Sequence, residues 1–348
     1  MQYLNEKSRR SKLRLLKDEN IVQINQKYGE PASINGNNTY CGGCIGCVNP
    51  NCLKYSDFEI GNIERLPDFS YERSYDVCPV NAMSFDENDG TIRIDKSKCI
   101  NCGLCADRCP LGAIYCDGDT KVSECDSANY VLVESTTDNI ESQKKQIEKL
   151  NELEREKKYR KENDVCLKKI YDQIQHFDGR SLVQNILIRN ILISMGYNCA
   201  ISRTGDVYTR MDGVYTNDNC FGVMEIEFGR DTLEASRGIL DDVAVLESRF
   251  DIKKEDNTPL VICLSLPNKR QGYFQVVKDV QRVLNMRIQT ITLGALLVLL
   301  WNGKVADFST ISFYADFDDM SIRDDVEKIL GRSVNVSNSY LGIFEPEK

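Results

Sequence analysis

Histidine is nearly absent from this chain of 348 residues, with His176 the one instance. A His–Cys pair or a Ser–His–Asp triad would have no redundancy, so that chemistry is set aside and His176 is read as structural. Long apolar runs are also lacking. The longest, "ITLGALLVLL" at 291–300 followed by Trp301, falls short of the ~20 residues a membrane helix needs and reads as a buried helix. The first 17 residues carry Lys7, Arg9, Arg10, Lys12, Arg14 and Lys17 against Glu6 alone, without the apolar core of a signal peptide, so export is not expected and the expected location is the cytoplasm, with no membrane partner. No G-x-G-x-x-G follows a strand, which removes the usual sign of a flavin or nicotinamide partner. An overall basic excess is missing too: 44 Lys and Arg face 53 Asp and Glu, for a net charge of -9. A nucleic-acid function would need a local basic patch, and the N-terminal arm is one.

Cysteine is what the chain has in abundance. Eleven of its 15 cysteines lie between Cys41 and Cys125, the pattern of a site and not of a disulfide framework. Composition divides the chain into a basic arm (1–40), a Cys-rich region (41–130), a charged connector (131–175), an α/β region (176–305) and a mixed tail (306–348). The Cys-rich region holds a repeat: "CPVNAMSF" at Cys78 and "CPLGAIYC" at Cys109 share Cys, Pro, Ala and an apolar residue at matching offsets, which points to two copies of one small unit. In the connector, Ile140, Ile147, Leu150 and Leu153 do not continue a heptad, so a solvated spacer helix is preferred to a coiled coil.

Cys99, Cys102, Cys105 and Cys109-Pro110 fit C-x2-C-x2-C-x3-C-P. Three thiolates at that step can wrap one iron–sulfur cube, but the loop cannot reach its fourth corner, so a remote cysteine must close it. Cys41, Cys44 and Cys47 repeat the step, and Cys78-Pro79 follows after an insertion. Zinc is the alternative, since paired C-x2-C units also make tetrahedral sites, yet zinc gives no reason for a third cysteine at the same step or for two Cys-Pro closures. Over residues 40–124 the chain resembles the two-cluster bacterial ferredoxins, an α+β fold. The resemblance implies one 4Fe-4S cluster on Cys41, Cys44, Cys47 and Cys109 and a second on Cys78, Cys99, Cys102 and Cys105. The insertion departs from the family, Cys52 could replace a ligand of the first run, and Cys116 and Cys125 have no part in the pattern.

Beyond the connector, "SLVQNILIRNILISMG" has a broad apolar face and a terminal Gly196, which suits a core helix. Strands are expected near 198–202, 207–216 and 221–228, then a helix at 232–249, a strand in "PLVICLSLP", a helix at 273–286, a strand in "IQTITLG" and the apolar helix. That order describes a mixed sheet flanked by helices. Two glutamates interrupt the third strand. Alternation puts Glu225 and Glu227 on one face. If Thr216 pairs with Phe221 across a turn at 217–220, Asp212 falls opposite Glu225, and opposed Cβ atoms about 5 Å apart repel unless a cation lies between them. The same register sets Arg210 opposite Glu227, which leaves open an ordinary strand salt bridge, and a one-residue slip would dissolve the constellation. A solvated sheet face is the plainer reading, but flanking helices should cover both faces.

The element order together with "MDGVY" and "MEIEFG" resembles the PD-(D/E)xK superfamily, the restriction-endonuclease-like fold, over residues 177–303, in its E-x-E variant. The resemblance implies an α/β mixed-sheet nuclease domain in which Asp212 and Glu225 hold Mg2+. Glu227, where the family usually has lysine, completes the water-activating side; a ligand role suits it better than a base, because an ordinary glutamate is weakly basic whereas a bound metal acidifies its own water. The implied substrate is double-stranded DNA, cut by in-line hydrolysis, in a restriction or phage-defence setting. A homodimer would serve a palindrome, and a restriction system would add a cognate DNA methyltransferase. Arg230, Arg237, Lys269 and Arg270 stand at element ends where a phosphate could approach, although such residues are more often simply solvated. The rival expectation is an iron–sulfur electron-transfer or redox-sensing protein whose α/β region does not cut.

Overall fold

The computed structural model describes residues 54–86, 91–108, 162–177, 182–205, 211–229, 232–310 and 312–347, together with the backbone of the further strands named below. They group into two compact units, Met1–Tyr55 with Asp76–Lys161, and Ser56–Tyr75 with Glu162–Lys348.

In the first unit the sequence repeat becomes two hairpins. Strand β4 (Met83–Asp86) pairs antiparallel with β5 (Thr91–Ile94), and β6 (Ile114–Asp117) with β7 (Lys121–Glu124). Cys78 precedes the first hairpin and Cys109 the second by the same five residues, so each Cys-Pro leads into a matching ribbon. Helix α2 (Leu104–Arg108) starts inside the cysteine loop. Ala82, Ile94 and Cys99 form a buried cluster against which Val80, Met83 and Ala106 pack. A second sheet has the order β3-β2-β1-β8, with β1 (Ile21–Asn25), β2 (Ser33–Gly36), β3 (Thr39–Tyr40) and β8 (Val131–Glu134). Composition alone did not foresee strands in the basic arm. Most of the connector lies outside the described residues.

The second unit is built on a five-stranded mixed sheet of order β13-β12-β11-β10-β9. Strands β9 (Asn198–Ile201), β10 (Gly213–Thr216) and β11 (Phe221–Glu227) form an antiparallel meander. The β10–β11 turn closes because the Asn217 Oδ1 accepts the amides of Asn219 and Cys220, each at 2.9 Å. Thr216 pairs with Phe221 and Val214 with Val223, the register expected from the sequence. Strand β12 (Leu260–Cys263) joins β11 in parallel, and β13 (Gln289–Thr292) joins β12. Parallel neighbours need crossovers, and helices α5 (Thr232–Phe250) and α6 (Tyr273–Leu284) supply them. Strands β12 and β13 are buried along their whole length, which explains their unbroken apolar and Thr-rich runs.

Helix α4 (Val183–Ser194) ends as its sequence implies, with Gly196 at φ 98° just beyond. Helix α7 (Leu293–Trp301) is the apolar run, and every residue in it is buried. Among the described residues no helix is long and apolar enough to cross a membrane. The expected strand at 207–216 is realised only as β10 within the described residues.

Composition placed boundaries near 175 and 305, whereas helix α3 (Asp164–Ile174) and the buried Phe308, Phe313 and Phe344 all belong to this unit. So does Ser56–Tyr75, the larger part of the insertion that separates Cys47 from Cys78. Its helix α1 (Asp57–Gly61) opens with a capping box between Ser56 and Glu59. Its later part runs beside β9 as an added edge: the Glu72 amide donates to Ile201 O at 2.9 Å and the Arg203 amide to Ser70 O at 3.1 Å. Arg189 on α4, fully buried, fastens this strap by donating to Glu72 O (3.2 Å), Ser74 O (2.5 Å) and Asn190 Oδ1 (3.0 Å). Bonds from a charged donor in a dry site are each worth about 1.5–3 kcal/mol, and no other side chain offers the same planar fork. Arg189→Leu is therefore expected to lower unfolding stability by about 3 kcal/mol or more. A urea midpoint within error of the parent would contradict this role.

Candidate functional site

Two sites emerge, one in each unit. In the first, Cys78, Cys99 and Cys105 pack in the same apolar cluster, and Cys99 and Cys102 are buried with 8% of their surface exposed. None of the four, Cys102 included, forms a disulfide. The sulfurs already collect backbone amides: Ala82 N donates to Cys78 Sγ at 3.2 Å and Asn101 N to Cys99 Sγ at 3.4 Å. Such donors favour the thiolate and tune the potential of whatever it binds. The loop is able to turn its amides inward because Asn101 and Gly103 take left-handed conformations, at φ 59° and 86°. Soft thiolates in an apolar setting, two of them accepting backbone amides, fit a four-iron cluster. Cys41, Cys44, Cys47 and Cys109, with Cys52, Cys116 and Cys125, lie outside the residues whose side chains are described.

The comparisons agree with this geometry. Residues 75–113 match the model of the 4Fe-4S dicluster domain. The chain carries a dicluster ferredoxin domain. An uncharacterized ferredoxin of Methanocaldococcus jannaschii is 32% identical over 79 residues, which are 22% of this chain and 51% of that protein. Hydrogenase-4 component A of Escherichia coli is 49% identical over 56 residues, 16% of this chain and 25% of the relative. The thiosulfate reductase electron transfer subunit of Salmonella typhi is 42% identical over 48 residues, 14% and 24%. The chain thus spans about half or less of the length of these relatives, and the matched domain lies within the cysteine-rich part. No solved structure matches the chain.

In the second unit the structure brings Asp212 and Glu225 together with a residue the sequence reading did not single out, Asp242. The β10–β11 ladder stops at Gly213, so Asp212 does not complete a rung opposite Glu225; its Oδ2 accepts the Ile226 amide at 2.8 Å and its Oδ1 the Asn185 side chain at 3.4 Å. Glu225 leans against α5, where Gly238 leaves room: a Cβ there would stand 3.1 Å from Glu225 Oε1. One turn on, Asp242 is 98% buried and its Oδ2 has no hydrogen-bond partner. None of these three carboxylates has a basic partner among the described residues. Burial first, then the charges of Asp212 and Asp242, push the Glu225 carboxyl up to about 9. Burial first, then Asp212, pushes Asp242 up to about 7, and burial also raises Asp212. Asp242 had a legible signal. It falls on the apolar face of α5 with Ala235, Ile239, Val243 and Leu246, where an acid is out of place.

Glu227 behaves differently. Its Oε1 turns back to accept the Gly229 amide, and it faces an open cleft of about 870 Å³ that Asp212 also lines. The cleft lies outside the carboxyl ends of β11 and β12, the usual place for a ligand in an open α/β sheet. Carboxamides of Gln184, Asn185, Asn268 and Gln271 line it, and no Lys or Arg does among the described residues. The cations expected from the sequence are elsewhere: Arg237 pairs with Glu234 at 2.7 Å on an exposed surface, Lys269 and Arg270 are exposed outside the lining, and Arg230 is outside the described residues, as is Arg210. His176 is exposed, its Nδ1 against the Asp172 carbonyl, in keeping with a local role.

Proposed function

We propose that this protein is an iron–sulfur redox protein whose dicluster domain takes up and passes on single electrons. The observation that supports this most is the packing of Cys78, Cys99 and Cys105, with Cys102 buried beside them, free of disulfides and with backbone amides on Cys78 and Cys99, within the segment that matches the dicluster domain. Those cysteines would hold one cluster, with Cys41, Cys44, Cys47 and Cys109 for the other, and the clusters would supply reversible one-electron chemistry. The chain's own contribution is an apolar wall that excludes water and amides that stabilise the reduced, more negative state. Anaerobically purified protein should show reversible reduction by dithionite, followed by low-temperature electron paramagnetic resonance. Clusters that cannot be reduced without unfolding the chain would remove the electron-transfer reading.

A second reading has its own support in the α/β unit, a metal-dependent DNA hydrolase of the PD-(D/E)xK type. The meander followed by parallel crossovers is the order that resemblance implies, and Asp212, Glu225 and Asp242 concentrate negative charge that a hard divalent cation such as Mg2+ would neutralise. As the side chains stand they do not converge on one point, so such an ion would have to draw them together. Glu225→Ala is expected to abolish Mg2+-dependent nicking of plasmid DNA by the intact protein. Nicking that persists in that variant, or that never appears in the parent, would leave the redox reading alone.

A further inference from the structure

We infer that the strap beside β9 carries a phosphate-binding site for a nucleic-acid backbone, formed by Arg73, Arg203 and Ser70; the identity of that anion rests on the hydrolase reading of the same unit. The strap and the sheet edge enclose a pocket of about 400 Å³ lined by Phe69, Ser70, Tyr71, Glu72, Arg73 and Arg203. Two of these six carry guanidinium groups, and neither forms an ion pair among the described residues, in contrast to Arg237 with Glu234. Arg73 lies over the ring of Tyr71, 5.6 Å from its centroid, which holds the side chain without neutralising it. The one carboxylate in the lining, Glu72, accepts the Ser74 hydroxyl at 2.9 Å. Positive charge therefore exceeds negative here, on a chain whose net charge is -9.

Backbone pairing fixes the pocket. Arg203 N donates to Ser70 O, and Tyr71 bridges Ser202. Ser202 N in turn donates to Asp212 O at 2.8 Å. Arg203 thus follows the residue whose amide pairs with Asp212, one strand away from Asp212 and two from Glu225, where neighbouring strands are about 4.8 Å apart. Guanidinium forks suit phosphate oxygens, and a hydroxyl adds a donor. Among the described residues the acid-lined cleft has no Lys or Arg in its lining, and the pocket would supply the cationic grip a polyanionic substrate requires.

The test uses full-length protein purified anaerobically, with Glu225→Gln added to prevent cleavage and fluorescein-labelled duplex and single-stranded DNA as probes. Anisotropy titrations across a KCl series should give a dissociation constant roughly tenfold weaker for Arg73→Ala/Arg203→Ala, with a salt slope about two units shallower. Arg203→Lys, which keeps the charge, should lose much less. Far-ultraviolet dichroism and cluster absorbance identify a folded variant. Unchanged affinity and slope in the folded double variant would overturn the site, as would a protein that binds inorganic phosphate or a mononucleotide but no DNA. Arginine-dependent DNA binding without cleavage by the parent in Mg2+ upholds the site while discarding the hydrolase.

Discussion

The Cys102→Ser variant is expected to retain about half the iron and half the acid-labile sulfide of the parent, because on the proposed assignment it would remove a ligand from one four-iron cluster and leave the other intact. Cys102 is buried beside the Ala82–Ile94–Cys99 cluster, and its loop turns on the left-handed residues Asn101 and Gly103. Losing a cluster there removes the body around which that loop is folded, so melting of the first unit should fall by more than 10 °C, on the scale of a lost structural metal site. The matched variants assign the ligands. Cys78→Ser should give the same half-loss and the same surviving spectrum as Cys102→Ser, whereas Cys109→Ser should leave the complementary spectrum. Cys116→Ser should change nothing. Identical spectra from Cys78→Ser and Cys109→Ser would contradict the exchange of fourth ligands between the two halves.

The carboxylates of the α/β unit give the second large effect. Glu225 has a folded value of about 9 against an ordinary 4.5, and Asp242 about 7 against 3.8. A raised carboxyl holds its proton in the folded state after the unfolded chain has released it. Stability is then greatest below the ordinary carboxylate range and falls as pH climbs towards the folded values. With divalent cations removed, the protein should melt several degrees lower at about pH 8.5 than at about pH 6. Glu225→Gln, neutral at both, should abolish most of that difference and melt higher than the parent at the upper pH. Adding Mg2+ or Ca2+ should raise the parent at high pH and leave the variant unmoved. A parent that becomes more stable as pH rises would show that these groups are not buried together as charges.

How far the sequence could be read depended on whether a contact was local. Cys99, Cys102, Cys105 and Cys109 are close neighbours in the sequence, so their step alone announced a cluster. The strands and helices of the second unit followed from period and punctuation, and the β10–β11 register followed from the Asn217–Cys220 turn. The strap was not legible: its ties are backbone carbonyls taken by Arg189 and an edge pairing with β9, neither of which leaves a periodic trace. For that reason Arg73 and Arg203, far apart in sequence, could not be joined beforehand, while Arg237, Lys269 and Arg270, noted at element ends, stand outside the lining of the cleft. Asp242 was legible in principle, as an acid on an apolar helix face, but its relation to Glu225 needed the packing of α5 on the sheet.

Iron and acid-labile sulfide, measured per chain on anaerobically purified protein, test the account most directly. About eight of each are expected, as two four-iron clusters require. Zinc in their place, with no sulfide released on acidification, would contradict it.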